Sequence, residues 1–339
     1  MAAAGLLMNT FLSDEFTPGL VSVIIPAFNR AGIIQKAIDS CFQQTYPQVE
    51  VIVVDDGSAD TTVQTIAKLI VSVGGEKLKL IAQANAGPCV ARNRGLKAAK
   101  GEFIQFLDSD DVLVADKLQR DVAEFNQDSE LGMVYGKVVY VDENGDNMGK
   151  GVSGMPLSGA EIQHAIARNC WHTIGPLYRR STCAKLGPWA EDLRGAEDLE
   201  YAARLKASGI PLKFSDRVVA FALADNSDKL SHQGDTPSFT RSQELFVDYT
   251  WQAVVKNNCS NPYVVRDLQM WLMNTAIKYA LLKDANGFER CLGKAIKHGG
   301  RKVYFKVKIT QMAATILGCR PTARLIRWLN QRNRNNGGN

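Results

Sequence analysis

Through the first third of the chain, apolar residues come in short uninterrupted runs separated by stretches in which they recur every three to four positions. Val21-Ser22-Val23-Ile24-Ile25 predicts a buried strand closed by Pro26. Ile33, Ile34, Ala37, Ile38, Cys41 and Phe42 then fall on one face of a helix that ends near Pro47. Glu50 to Val54 predicts a second buried strand, broken at Asp55-Asp56-Gly57-Ser58, after which Val63, Ile66, Ala67 and Ile70 mark a helix. Ser58 or Asp60 can cap it. Lys79 to Ile81 predicts a third strand, Val90 to Ala99 a helix, and Phe103 to Leu107 a fourth strand. Strand and helix alternating at this spacing predict an α/β protein with a mostly parallel sheet flanked by helices. In such sheets ligands sit beyond the carboxyl ends of the strands.

Beyond Asp111 the rhythm loosens. A helix from about Asp116 to Asn126 precedes a long strand, Met133 to Val141, and a turn at Asp142-Glu143-Asn144-Gly145. Gly149 to Gly159 reads as a mobile loop. Trp171 to Arg179 and Leu212 to Ala222 are further predicted strands, with a helix Asp198 to Ser208 between them. From Arg241 the pattern is helical, interrupted at Pro262, Gly287, Gly299-Gly300 and Pro321. The expected organisation is an N-terminal extension (1–19), a catalytic domain (20–235), a helical C-terminal region (236–332) and a disordered tail (333–339).

Composition changes this picture little. The chain has 339 residues, 45% hydrophobic and 22% charged, an ordinary globular balance. Charge distribution matters more. From Gly287 onward twelve Lys or Arg face Glu289 alone, so a net charge of +5 conceals a strongly basic end and a mildly acidic remainder. Seven scattered cysteines with no Cys-x-x-Cys pair point to free thiols in a reducing compartment. The N-terminus lacks a basic n-region, so no signal peptide is expected, and no apolar run is long enough for a membrane-spanning helix. The expected location is cytoplasmic.

The candidate chemistry gathers at the strand ends. Phe103 to Leu107 runs into Asp108-Ser109-Asp110-Asp111, three carboxylates within four residues. Such density is tolerated beside a cation or in free contact with water. In extended chain Asp108 and Asp110 point to one side, a hard-oxygen pair suited to Mg²⁺ or Mn²⁺. An acidic loop or helix start would look the same without a metal. Phe28 can stack on a nucleobase or simply belong to the core. Asp56 can accept from a base imide or ribose hydroxyls, or serve the turn beside Gly57. Arg92, in the helix after Gly87-Pro88, can reach a phosphate or ribose. Neither a Gly-x-Gly-x-x-Gly nor a phosphate-binding Gly-x-x-x-x-Gly-Lys loop follows the first strand, which disfavours dinucleotide and P-loop folds.

Ser22 to Asn29, Val54 to Ser58, Ala91-Arg92-Asn93-Arg94-Gly95 and Phe106 to Asp111 occur in the order and spacing seen in family 2 glycosyltransferases, and over about residues 20–225 the chain resembles that family. Gly195-Ala196-Glu197-Asp198-Leu199 looks like its Glu-Asp motif. The resemblance implies a GT-A fold with a helical extension and an inverting sugar transferase. It implies a nucleotide-sugar donor, UDP-linked, a divalent cation, and a glycan or lipid-linked glycan acceptor in cell-surface polysaccharide assembly. It further implies that Phe28 stacks on the base and Asp56 binds its imide, while Asp108 meets the ribose and metal region and Asp110 ligates the cation. Pro26, Asn29, Arg92 and Ser109 would complete the nucleotide site, and Asp198 would be the general base. Asp111 alternatively serves as a helix cap. Lys229 or His232 would take the place of a basic element that in the family touches the diphosphate. A nucleotidyltransferase is disfavoured because it expects a Gly-rich loop where Pro26-Ala27-Phe28-Asn29 stands, and Asp110 with Asp198 argue against a silent binding subunit.

The basic end, with Val303, Phe305, Val307, Ile309, Ile316 and Trp328 among Lys and Arg, either lies on an anionic membrane surface or caps the catalytic domain with its charges solvated. Beyond charge it has no nucleic-acid signature, so nucleic acid is not an expected partner.

Overall fold

The computed structural model describes residues 11–12, 15–142, 144–157, 160–223 and 236–298. Lys229, His232, the basic end from 299 onward and most of the N-terminal extension lie outside the described residues. The chain divides into two compact units, which do not follow a single cut in sequence. One draws on Met1–Leu157, Asn169–Glu191 and Gly209–Asn226, the other on Ser158–Arg168, Asp192–Ser208 and Ser227–Asn339.

The first unit is built on a nine-stranded sheet. β1 (Thr17–Ala27), β2 (Val49–Asp55), β3 (Leu78–Ala82) and β4 (Gly101–Phe106) are its parallel half; the near-continuous apolar runs of β1, β2 and β4 are buried on both faces, as parallel strands under helices must be, while β3 at the sheet edge is only partly buried. Between them run α1 (Ile34–Phe42), α2 (Thr62–Val73) and α3 (Pro88–Ala98). Pro88 opens α3, where its missing N–H costs nothing. A Cβ on Gly95 would run into Ile24 and Val54, so α3 lies close against β1 and β2.

The other half holds β5 (Val112–Leu113), β6 (Met133–Val141), β7 (Asn147–Ser153), β8 (Leu177–Arg179) and β9 (Leu212–Leu223), with α4 (Lys117–Gln127) and α6 (Arg180–Leu186). Across the sheet the strand order is β3-β2-β1-β4-β8-β6-β9-β5, with β7 paired to β6. Successive connections therefore move from β1 outward to β3, then reverse to place β4 on the other side of β1. That reversal opens a crevice beyond the carboxyl ends of β1 and β4. Together with the α/β alternation, this is a mixed α/β sheet flanked by helices, in line with the GT-A fold that the resemblance implies.

The structure corrects two expectations here. Within the stretch expected to be loop, β7 pairs antiparallel with β6. Its glycines are carried by the hairpin, whose turn is fastened by Asp142 accepting from Asn144 N and Asp146 N. Residues 171–176 are not strand. His172 O accepts from Gly175 N in a turn, and only Leu177–Arg179 pairs with β4.

The second unit is helical: α5 (Ala160–His164), α7 (Glu197–Ala207), α8 (Pro237–Lys256), α9 (Pro262–Leu281) and a last helix, α10, over 285–298. Asn261 caps α9 by accepting from Tyr263 N and Val264 N, with Pro262 at its first turn. Its core joins Ala203 and Ala207 of α7 to Phe246, Leu268, Leu272, Leu292 and their neighbours.

Candidate active site

β1 pairs on one side with β2, aligning Ala27 with Asp55, and on the other with β4, aligning Ile24 with Phe106. Asp56 N donates to Ala27 O and Leu107 N to Ile24 O, so the three strand ends continue together into the crevice. Phe28, Asn29, Asp56, Asp108, Ser109 and Asp110 all follow from these ends, and Pro26 is the last residue but one of β1.

Phe28 is 44% exposed, which removes it from the core and leaves a ring at the rim of the crevice. Asn29 adopts a left-handed backbone (φ 53°) and ties two loops together. Its N–H donates to Ser58 Oγ and its Oδ1 accepts from Ala59 N, both at 2.9 Å. Asp56 is buried. Its Oδ1 accepts from Gln83 Nε2 and Ala86 N, and its Oδ2 from Gly87 N, each at 2.8 Å. The carboxylate thus braces the loop that opens α3. Gly57 beside it has φ 79°, and a Cβ there would come within 2.8 Å of Asn85 N. Only glycine meets both demands without strain.

Arg92 is buried rather than reaching outward. Its Nη2 donates to Asp108 Oδ1 at 2.9 Å, and its guanidinium lies 4.8 Å from the centre of the Trp189 ring. Trp189 is fixed in turn by Asn93, whose Oδ1 accepts from Trp189 N while its Nδ2 donates to Trp189 O. Asn93 Nδ2 also donates to Glu191. Arg92 therefore orients Asp108 from behind.

The acidic run does not continue as strand. β4 ends at Phe106, and residues 108–111 form a turn in which Asp111 N donates to Asp108 O at 3.1 Å. A turn brings positions i and i+3 together, where extended chain would have paired i and i+2. Asp108 accordingly groups with Asp111 and with His172, one ligand atom from each lying within 4.8 Å of the others. Asp110 is not in that group. Two carboxylates and an imidazole at this separation are a donor set that fits a divalent cation. Nor is Asp111 a helix cap: it is buried, its Oδ1 accepts from Leu223 N at the end of β9, and α4 begins only at Lys117. His172 gave no sequence signal, since it stands alone and some sixty residues from the acidic run. Its position follows from β8 pairing with β4 and from Gln105 Nε2 donating to Ile174 O.

Asp198 belongs to the helical unit, in the first turn of α7 with Glu197 and Glu200. Three acidic residues there meet the positive end of the helix dipole. Ala196 at the N-cap has φ 60°, and a Cβ on the preceding Gly195 would collide with the Phe239 ring. Glu200 is buried and paired with Arg204 at 2.6 Å, and burial raises its carboxyl above the usual range in spite of that partner.

Residues 22–183 match the profile of glycosyl transferase family 2. Over 129 residues it is 36% identical to an uncharacterized glycosyltransferase of Haemophilus influenzae, covering 38% of this chain and 51% of that one. A chondroitin synthase of Pasteurella multocida is 34% identical over 147 residues, 43% of this chain and 15% of the synthase. The chain thus spans about half the length of the first of these relatives and far less of the second. Among solved structures, residues 1–349 of Staphylococcus aureus TarS, in complex with UDP-GlcNAc, superpose with a TM-score of 0.67 at 22% identity, covering 91% and 92% of the two chains.

Proposed function

We propose that the protein is an inverting glycosyltransferase that moves a sugar from a nucleoside diphosphate, UDP-linked, to a hydroxyl of a glycan or lipid-linked glycan in cell-surface polysaccharide assembly. The observation that carries this reading is the set of groups at the strand reversal: an exposed ring at Phe28, a buried acceptor at Asp56, and the Arg92–Asp108 pair leading into the acidic turn. The family match and the likeness to a chondroitin synthase region support sugar transfer to a glycan. No helix among the described residues is long and apolar enough to cross a membrane. We place the reaction at the cytoplasmic face, with the basic end beyond residue 298 resting on anionic lipid.

In this mechanism Phe28 stacks on the base, with Pro26 and Asn29 shaping the rim. Asp56 Oδ2, which accepts one hydrogen bond within the protein, takes the imide N–H on its remaining lone pair. Asp108 meets the ribose and, with Asp110 and Ser109 in the same turn, the diphosphate region, while Arg92 holds Asp108 in place. The carboxylates of this turn would hold a divalent cation, Mn²⁺ or Mg²⁺, which when bound would supply positive charge to the leaving diphosphate. A sugar hydroxyl does not ionise near neutral pH, so its proton must leave as it attacks. Asp198 accepts that proton. The acceptor oxygen bonds to the anomeric carbon from the face opposite the departing phosphate oxygen, the bond to that oxygen breaks, and the configuration inverts.

Replacing Asp198 with Asn tests the assignment. Removal of a positioned base is expected to lower turnover by about 10²–10⁴ while UDP binding persists. Undiminished turnover on a panel of nucleotide sugars would refute it.

A further inference from the structure

The cation position carries more than the acidic turn. We propose that His172 is a protein ligand of the divalent cation, together with Asp108 and Asp111, and that its imidazole makes the site favour Mn²⁺ over Mg²⁺. The inference rests on the proposed cation and deepens it by naming the ligands and the metal preference.

Two observations support it. First, the ligand atoms of Asp108, Asp111 and His172 lie within 4.8 Å of one another, a few tenths of an ångström above the spread of about 4.4 Å that bonds of about 2.2 Å to one ion allow, so that small side-chain rotations would close the set. Second, all three are anchored by independent contacts. Asp108 is bound by Arg92, and Asp111 is bound to the end of β9 through Leu223 N. The turn carrying His172 is fastened to β4 through Gln105 Nε2 and Ile174 O at 2.8 Å, and the His172 ring meets Tyr140 edge-on at 5.9 Å. A ligand set held this way loses little entropy when an ion arrives.

The preference follows from donor chemistry. Mg²⁺ demands oxygen in near-ideal octahedral geometry and gives up water reluctantly, so an imidazole gains it little. A first-row transition ion accepts nitrogen and oxygen together. Ligation through two carboxylates three positions apart and a distant histidine draws on Asp111 rather than Asp110.

The test is direct metal binding by the full chain, with Mn²⁺ alone and with Mn²⁺ and UDP, read by pulsed EPR. Wild-type protein is expected to show ¹⁴N coupling from one coordinated imidazole. The coupling should persist in His232→Ala and vanish in His172→Ala and His172→Gln. Mn²⁺ affinity should fall at least about ten-fold in both His172 variants, with Mg²⁺ affinity, measured by competition, changing much less. Mn²⁺ bound without nitrogen coupling in the wild type, coupling that survives His172→Ala, or coupling lost in His232→Ala overturns the assignment and leaves the proposed cation standing. Absence of any Mn²⁺ binding by the wild type, with or without UDP, overturns both. The wild-type and His232→Ala spectra decide the matter even where a His172 variant fails to fold.

Discussion

Glu244, on α8, is fully buried among cations, and its replacement gives a sharp test of what holds the helical unit together. Its carboxylate is met by Arg241 at 2.7 Å, Lys294 at 2.8 Å and Arg290 at 3.3 Å, and accepts from the Tyr279 hydroxyl at 2.8 Å. Burial alone would raise its pKa, but these donors more than offset that and hold the carboxyl at about 2, against an ordinary 4.5. At about 1.4 kcal/mol per unit the shift corresponds to a stabilisation of about 3 kcal/mol at neutral pH. Solvent reaching the half-exposed Arg241 and Arg290 makes that a ceiling. Because the folded value lies below the unfolded one, the contribution is complete above pH 4.5 and declines as pH falls towards 2, with about half gone by pH 3. Glu244→Gln keeps the shape and removes the charge. Urea unfolding followed by fluorescence of Trp251 and Trp271 should show the variant less stable by about 2–3 kcal/mol at pH 7. The two proteins should converge as the pH approaches 2. A difference below about 0.5 kcal/mol at pH 7, or one that is the same at pH 7 and pH 3, would refute the reasoning.

Phe28→Ala should weaken UDP binding by about 1–3 kcal/mol in calorimetry, the usual value of one base-stacking ring, with little change in melting temperature because the ring is exposed. Lys117 and Asp121 form a fully buried pair at 2.6 Å on α4, where burial pushes the amine down and the carboxyl up, each partly offset by the other. Lys117→Met strands the carboxylate and should cost about 3–5 kcal/mol in chemical unfolding, and adding Asp121→Leu should recover most of it. Flotation of the full-length protein with anionic liposomes at low salt should carry it upward, and retention in the soluble fraction would sink the membrane reading of the basic end.

The parallel half of the fold was legible because its strands are buried on both faces, so Val21 to Ile25, Glu50 to Val54 and Phe103 to Leu107 needed no partner to be recognised. β7 was not, because the pairing that makes it a strand is supplied by β6 and its glycines argue locally for loop. Trp171 to Arg179 misleads for the opposite reason: aromatic and branched residues suit a strand, yet the chain turns over His172–Gly175. At the site, Asp56 and Asp108 stand where the spacing put them, beyond the ends of β2 and β4, the two strands that flank β1. What the spacing could not convey was local geometry. The turn exchanges Asp110 for Asp111 as the near neighbour of Asp108, and Arg92 turns inward onto Trp189. His172 became visible only once β8 was known to lie beside β4.

The interleaving of the two units bears on how deletions of this chain should be read. The peptide crosses from one unit to the other five times, and α7, which carries Asp198, shares its core with helices that follow it by forty to ninety residues. Ala203 and Ala207 pack in a cluster with Phe246, Leu272 and Leu292, so shortening the chain after β9 would strip α7 of the surface it folds against. The C-terminal helices are then a scaffold for the proposed base rather than an appendage to it. A truncated chain could keep the proposed nucleotide site intact and still be inert, which would mimic an acceptor-binding defect without any acceptor contact having been lost.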